Sequence, residues 1–132
     1  MESENTRLVR EGFDALDKGG PEALISLIAD DFVVTTPPSL ASEPDTYVGP
    51  EGVRRYFDSF YEAMDRIEFI PHSFEEVGER VLVDFTLRAR GRSTGIEAEQ
   101  RGFQLWHIRD GQAVRLELFP TEEEAREAAE SG

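Results

Sequence analysis

The scarcest chemistry-bearing side chains in this sequence are two histidines, His72 and His107, and one tryptophan, Trp106; cysteine is absent. Without thiols there is no disulfide framework, thiolate metal site or cysteine nucleophile. The histidines fall on different predicted strands at a spacing that matches no ligand pattern, so no metal and no cofactor is expected. His72 is a candidate general base if it reaches a pocket, with an edge-strand role as the plainer reading. His107 is expected to point outward. A stronger constellation is Gln104 with Trp106, two residues apart and therefore on one face of a strand. A flat apolar ring beside a neutral amide suits a hydrophobic ligand carrying a carbonyl or hydroxyl. The alternative is Trp106 packed in the core with Gln104 bonded to a neighbour.

The elements that must position this pair are legible from periodicity. Leu8, Val9, Phe13 and Leu16, with Gly12 among them, form one helical stripe over about Asn5 to Asp17. Lys18-Gly19-Gly20 stops that helix. Pro21 opens a second short one, with Leu24, Leu27 and Ile28 as its buried stripe and Asp30-Asp31 at its end. Phe32 to Thr36 reads as a strand. Pro37 to Val48 reads as a loop, long enough for Asp45 and Tyr47 to close over a ligand. Gly49-Pro50 starts a third helix, whose stripe of Val53, Tyr56, Phe57, Phe60, Tyr61 and Met64 is the strongest periodic signal. The period then changes to two, and strands are predicted at about 67–77, 80–90, 96–108 and 113–119. Asp110-Gly111 is a hairpin signal between the last two. Thr121 and Glu124 form a capping box, and the tail from about residue 125 reads as a short acidic helix or a frayed end. Helices first and strands last make the class α+β, in a single domain over 1–132.

A net charge of −14 lacks the basic stripe that tracks phosphates, so no nucleic acid and no membrane is expected as a partner. No apolar run approaches the ~20 residues of a membrane span. The first residues lack the pattern of a secretory signal, and a cytoplasmic setting is expected.

The order of these signals resembles the SnoaL-like branch of the nuclear-transport-factor-2-like (NTF2-like) superfamily. The residues that carry the likeness are Ala29-Asp30-Asp31-Phe32, the strand running into Pro37, Gly49-Pro50-Glu51-Gly52-Val53 before an aromatic helix, and Arg109-Asp110-Gly111 between the last strands. The resemblance implies a cone-shaped barrel: a curved antiparallel sheet packed on three N-terminal helices, commonly a homodimer through the sheet, with a pocket inside. The superfamily includes ketosteroid isomerases, polyketide cyclases, epoxide hydrolases, dehydratases and members without enzymatic activity, so fold does not settle function. At the three positions where ketosteroid isomerases carry a tyrosine, a carboxylate base and a protonated aspartate, this chain reads Gly12, Thr36 and Gln104. The base is missing, although Gln104 retains a donor for an oxyanion. Cyclases of the SnoaL type place an aspartate near the end of the last strand, where this chain has Leu118-Phe119-Pro120-Thr121. Asp84, Arg88 and Arg101 offer the residue types of an epoxide-hydrolase site.

Strand alternation sorts the faces. Val81, Val83, Phe85, Leu87 and Ala89 are placed inward, as are Leu116 and Leu118, with Arg115 and Glu117 outward. The comparison with the family and the lack of ionic groups put Gln104, Trp106 and Ile108 inward. The expected ligand pocket is Phe13, Thr36, Tyr56, Phe57, Phe60, Phe85, Gln104, Trp106, Leu116 and Leu118, with Gln104 and His72 as candidate catalytic residues. Phe103, Leu105 and Phe119 are left on the outer face among charges, an apolar strip that suggests a homodimer interface. Arg88, Arg90 and Arg92 are expected to pair with Glu97 and Glu99. The function expected is that of a pocket protein binding or converting a small hydrophobic carbonyl-type molecule. The alternative is a dimeric ligand-binding or interaction module without catalysis.

Overall fold

The structure is a computed structural model that describes residues 3–36 and 46–130. Helices α1 (Glu4–Gly19) and α2 (Pro21–Ile25) lead into strand β1 (Ile28–Thr35). Then come β2 (Thr46–Val48), α3 (Gly49–Ala63), β3 (Met64–Val77), β4 (Arg80–Gly91), β5 (Glu97–Arg109), β6 (Gln112–Phe119) and α4 (Glu122–Glu130). Ser3 caps α1, its Oγ accepting the Thr6 amide at 3.1 Å, which satisfies one of the orphan donors of the first turn.

The sheet runs β2-β1-β6-β5-β4-β3 and is curved but not closed. All neighbours are antiparallel except β1 and β6, which are parallel. The curved, mostly antiparallel sheet packed on helices is as expected, and the one parallel pair is an addition to it. The chain between β1 and β6 is long enough to supply the crossover that a parallel pair requires. At the β5–β6 hairpin, Asp110 and Gly111 both take positive φ, 53° and 77°, matching the twist of the flanking strands.

Two boundaries differ from the periodicity. Ile28, expected on the α2 stripe, is the first residue of β1 and pairs with Ala113. Asp30-Asp31 therefore lie within the strand, exposed at a register shift between Ile28 and Val33, where their carboxylates stay in water. Of the expected loop, residues 37–45, Asp45 included, lie outside the described residues. Its last three residues are strand β2, and Tyr47 is 1% exposed, packed edge-on to Tyr56 at 5.4 Å, so it is core and no lid. Gly52 makes this possible: a Cβ there would sit 2.8 Å from the Tyr47 carbonyl carbon, so α3 can cross β2 this closely only at glycine.

Two apolar clusters form on opposite faces of the sheet. The inner one joins α1, α2 and α3 to the concave face, including Val81, Val83, Phe85, Trp106, Ile108, Leu116 and Leu118. The outer one joins Leu82, Phe103 and Leu105 to Ala125 and Ala129 of α4, with Phe119 packed against it. This corrects the expected exposed strip. Leu105 is 0% exposed because α4 of the same chain covers it, so Phe103, Leu105 and Phe119 are not an open apolar surface. Of the two readings of the tail, residues 122–130 take the helical one: Thr121 Oγ1 accepts the Glu124 amide at 3.3 Å and donates to its carboxylate at 3.0 Å. At the other end, Arg80 donates to the carbonyls of Ala128 and Ala129 at 3.2 and 2.9 Å, a positive charge where the helix dipole is negative. No helix among the described residues is long and apolar enough to cross a membrane.

Candidate functional site

Gln104 and Trp106 project from β5 into a cavity of about 30 Å³ between the concave sheet and the helices. Of the expected pocket residues, Phe13, Tyr56, Phe57, Gln104, Trp106 and Leu116 line it. Phe85 and Leu118 line a separate void of about 10 Å³ that shares Tyr56. Thr36 and Phe60 are buried but are not part of either lining. The lining also contains Gly12, Leu16, Leu24, Phe32, Val34, Val53 and Phe69, none of them singled out as pocket residues beforehand. Alternation along β1 does contain the signal for Phe32 and Val34, and Val53 shares the Tyr56 stripe.

Trp106 Nε1 donates to Gln104 Oε1 at 2.8 Å. An indole N–H only donates, so the amide oxygen is the atom held against it, and the amino group with its two donors is the end turned away from Trp106. The indole stacks on Phe32, with centroids 6.1 Å apart at 29°. Gln104 is thereby fixed in orientation as well as in position, although it is only 4% exposed. Tyr56 is the second polar group, wedged edge-on against Phe57 and Phe60 at 5.2 Å each. Burial, with Tyr47 beside it, pushes its phenol well above the ordinary value of 10.0, so it stays neutral. The described lining holds no carboxylate, imidazole or ammonium group. Phe13 and Leu16 of α1 and Phe69 of β3 are the half-buried members of the lining.

The remaining candidates lie elsewhere. His72 is exposed at a register shift between Pro71 and Ser73 and does not line the cavity. Its Nε2 sits 2.7 Å from Thr86 Oγ1, beside a polar cleft lined by Arg10 and Glu76. His72 is therefore corrected from a candidate base to a surface residue. Asp84 pairs with Arg101, Nε to Oδ1 at 3.0 Å, and that guanidinium holds the carboxyl below its usual range. Arg88 bonds Glu99 at 2.8 Å, so these three charges form outer-face pairs and not a site around the cavity. Arg90 bonds Asp65 at 2.8 Å instead of the expected glutamates. His107 points outward as expected, 2.7 Å from Glu117.

The sequence model of the SnoaL-like domain matches residues 9–116. No curated protein matches the chain in sequence. Among solved structures, TerC co-crystallised with polyporic acid overlays at a TM-score of 0.80 and 22% identity, covering 98% of this chain and 100% of that one. An NTF2-like protein of unknown function from Burkholderia pseudomallei overlays at 0.80 and 23% identity, covering 98% and 100%. RV0760c from Mycobacterium tuberculosis, in complex with estradiol-17β-hemisuccinate, overlays at 0.74 and 16% identity, covering 92% and 97%. At these identities the likeness is one of fold.

Proposed function

The chain belongs to the SnoaL-like domain family, and from that premise we propose that it binds a small hydrophobic molecule through a neutral hydrogen-bond acceptor, a carbonyl oxygen above all. One observation carries the reading: Trp106 engages the oxygen of Gln104, so what Gln104 can offer an occupant is its donor end, in a cavity whose remaining lining is apolar apart from the Tyr56 phenol. An unmatched acceptor is costly to bury and a matched one is not. Two proteins of the same fold were crystallised with polyporic acid and with estradiol-17β-hemisuccinate, which supports a small-molecule occupant.

The cavity of about 30 Å³ is far smaller than the ~150 Å³ that accepts a benzene ring. An occupant therefore widens it, at the expense of the half-buried members of the lining, Phe13, Leu16 and Phe69. Binding, not turnover, is the favoured reading, because the described lining offers no group to take up a proton at neutral pH. The competing reading is a module that pairs with a second copy through the outer sheet. Phe103 and Leu105 lie under α4, so that pairing would use or displace the helix. A monomer in sedimentation equilibrium at micromolar concentration contradicts it.

The test compares acetophenone with ethylbenzene, which differ by the carbonyl, using the fluorescence of Trp106 as the signal. The ketone is expected to bind more tightly, and Gln104→Leu to weaken it about three- to tenfold, the worth of one net hydrogen bond. Equal affinity of the wild type for both compounds counts against the proposal.

A further inference from the structure

Gly12 lies mid-helix in α1, is buried, and is not among the glycines with positive φ. A Cβ there would meet Leu24 Cδ1 at 3.4 Å, an ordinary contact distance. Neither backbone nor space therefore demands glycine, which costs a helix about 1 kcal/mol relative to alanine. What the missing side chain does is leave room. Gly12, Leu24 and Trp106 are shared by two voids: the Gln104 cavity, and a second of about 10 Å³ behind the indole, reaching Val9, Leu27, Ile28 and Ala113. The rear void is walled by apolar side chains, so a water inside would find no partners. It suits methyl or methylene groups, which would restore the dispersion contacts its walls now lack.

We infer that Gly12 opens a passage beside Trp106 into a rear subsite that takes the unbranched alkyl tail of a ligand whose carbonyl is held at Gln104. This rests on the reading of Gln104 as the head-group donor and adds the tail. A chain can thread between Gly12 and the indole, whereas a ring cannot without moving Trp106 off Phe32. Gly12 thereby sets the length of chain the protein accepts.

The experiment titrates the intact protein with the methyl ketones 2-pentanone to 2-undecanone, read by Trp106 fluorescence and by thermal shift. In the wild type, affinity is expected to rise by up to about fourfold per added methylene, the ~0.8 kcal/mol of burying one CH₂. In Gly12→Ala, which should melt higher than the wild type, the rise is expected to stop at a shorter chain. Ala113→Val, filling the rear void from β6, should truncate the series in the same way. Gln104→Leu should lower the whole series by a constant factor and keep its slope. Identical chain-length profiles in the wild type, Gly12→Ala and Ala113→Val overturn the rear subsite and leave the Gln104 reading standing. Failure of every ketone to bind the wild type overturns both.

Discussion

The two faces of the sheet are built from alternate residues of the same strands, yet they solve opposite problems. The inner face buries aromatic rings against three helices, and its polar pair, Gln104 with Trp106, is bonded internally. The outer face carries ion pairs such as Asp84 with Arg101 and Arg88 with Glu99, and its small apolar patch is closed by alanines of α4. Inside, removing a group leaves a hole or an unpaired atom. Outside, water replaces what is lost. Stability should therefore be concentrated on the inner face, while the outer face tunes solubility and the seating of one short helix.

The largest effect expected is that of Trp106→Ala. It removes a buried ring and strands the Gln104 oxygen, and should cost about 3–5 kcal/mol in urea unfolding. A cost below 1 kcal/mol would break the contrast. Next is Ala125→Arg, which forces a charge into the fully buried seat of α4. A nine-residue helix has little stability alone, so it should undock, at roughly 1–3 kcal/mol. Hydrogen exchange should show amides 122–130 losing protection while the concave core keeps its own.

A smaller effect is pH-dependent. Burial lowers the His107 pKa from its ordinary 6.5, outweighing the opposing pull of Glu117, with Arg80 and Arg115 adding to the depression. The unfolded chain then binds this proton more readily than the folded one, so stability rises with pH through the window just below 6.5 and is lost on acidification. His107→Gln should flatten that segment of the stability curve. The arginine-paired carboxylates Asp84 and Glu75 are held below their ordinary 3.8 and 4.5, so their contribution is lost only at more acidic pH. The smallest effect is that of Arg101→Ala, a shift in the urea midpoint below all of those above and reduced further by salt.

The same contrast explains what could be read in advance. Val81, Val83 and Phe85 alternate with Arg80, Asp84 and Arg88, so burial cost alone assigns the faces of β4, and through the pairing of Gln104 with Val83 and Trp106 with Val81 those of β5. The Gln104–Trp106 contact was within reach because residues two apart on a strand face the same way. The cover over Phe103 and Leu105 was not, because Ala125 and Ala129 are faint apolar marks among glutamates. Likewise the bulge beside His72 depends on pairing across strands; Pro71 marks an edge or a bulge in general and does not give the register. The size of the cavity is a property of packing that residue identity leaves undetermined, so Gly12 shows in the sequence as a member of the α1 stripe and a missing tyrosine, and its place between two voids does not.

The central claim is that Trp106 fixes Gln104 as a donor in an apolar cavity. The single tryptophan gives one indole N–H resonance, and its titration with acetophenone in wild type and Gln104→Leu is the most direct test. A saturable shift of that resonance, with affinity about three- to tenfold weaker in the variant, is predicted. No shift up to the solubility limit, or equal affinity in the two proteins, would contradict it.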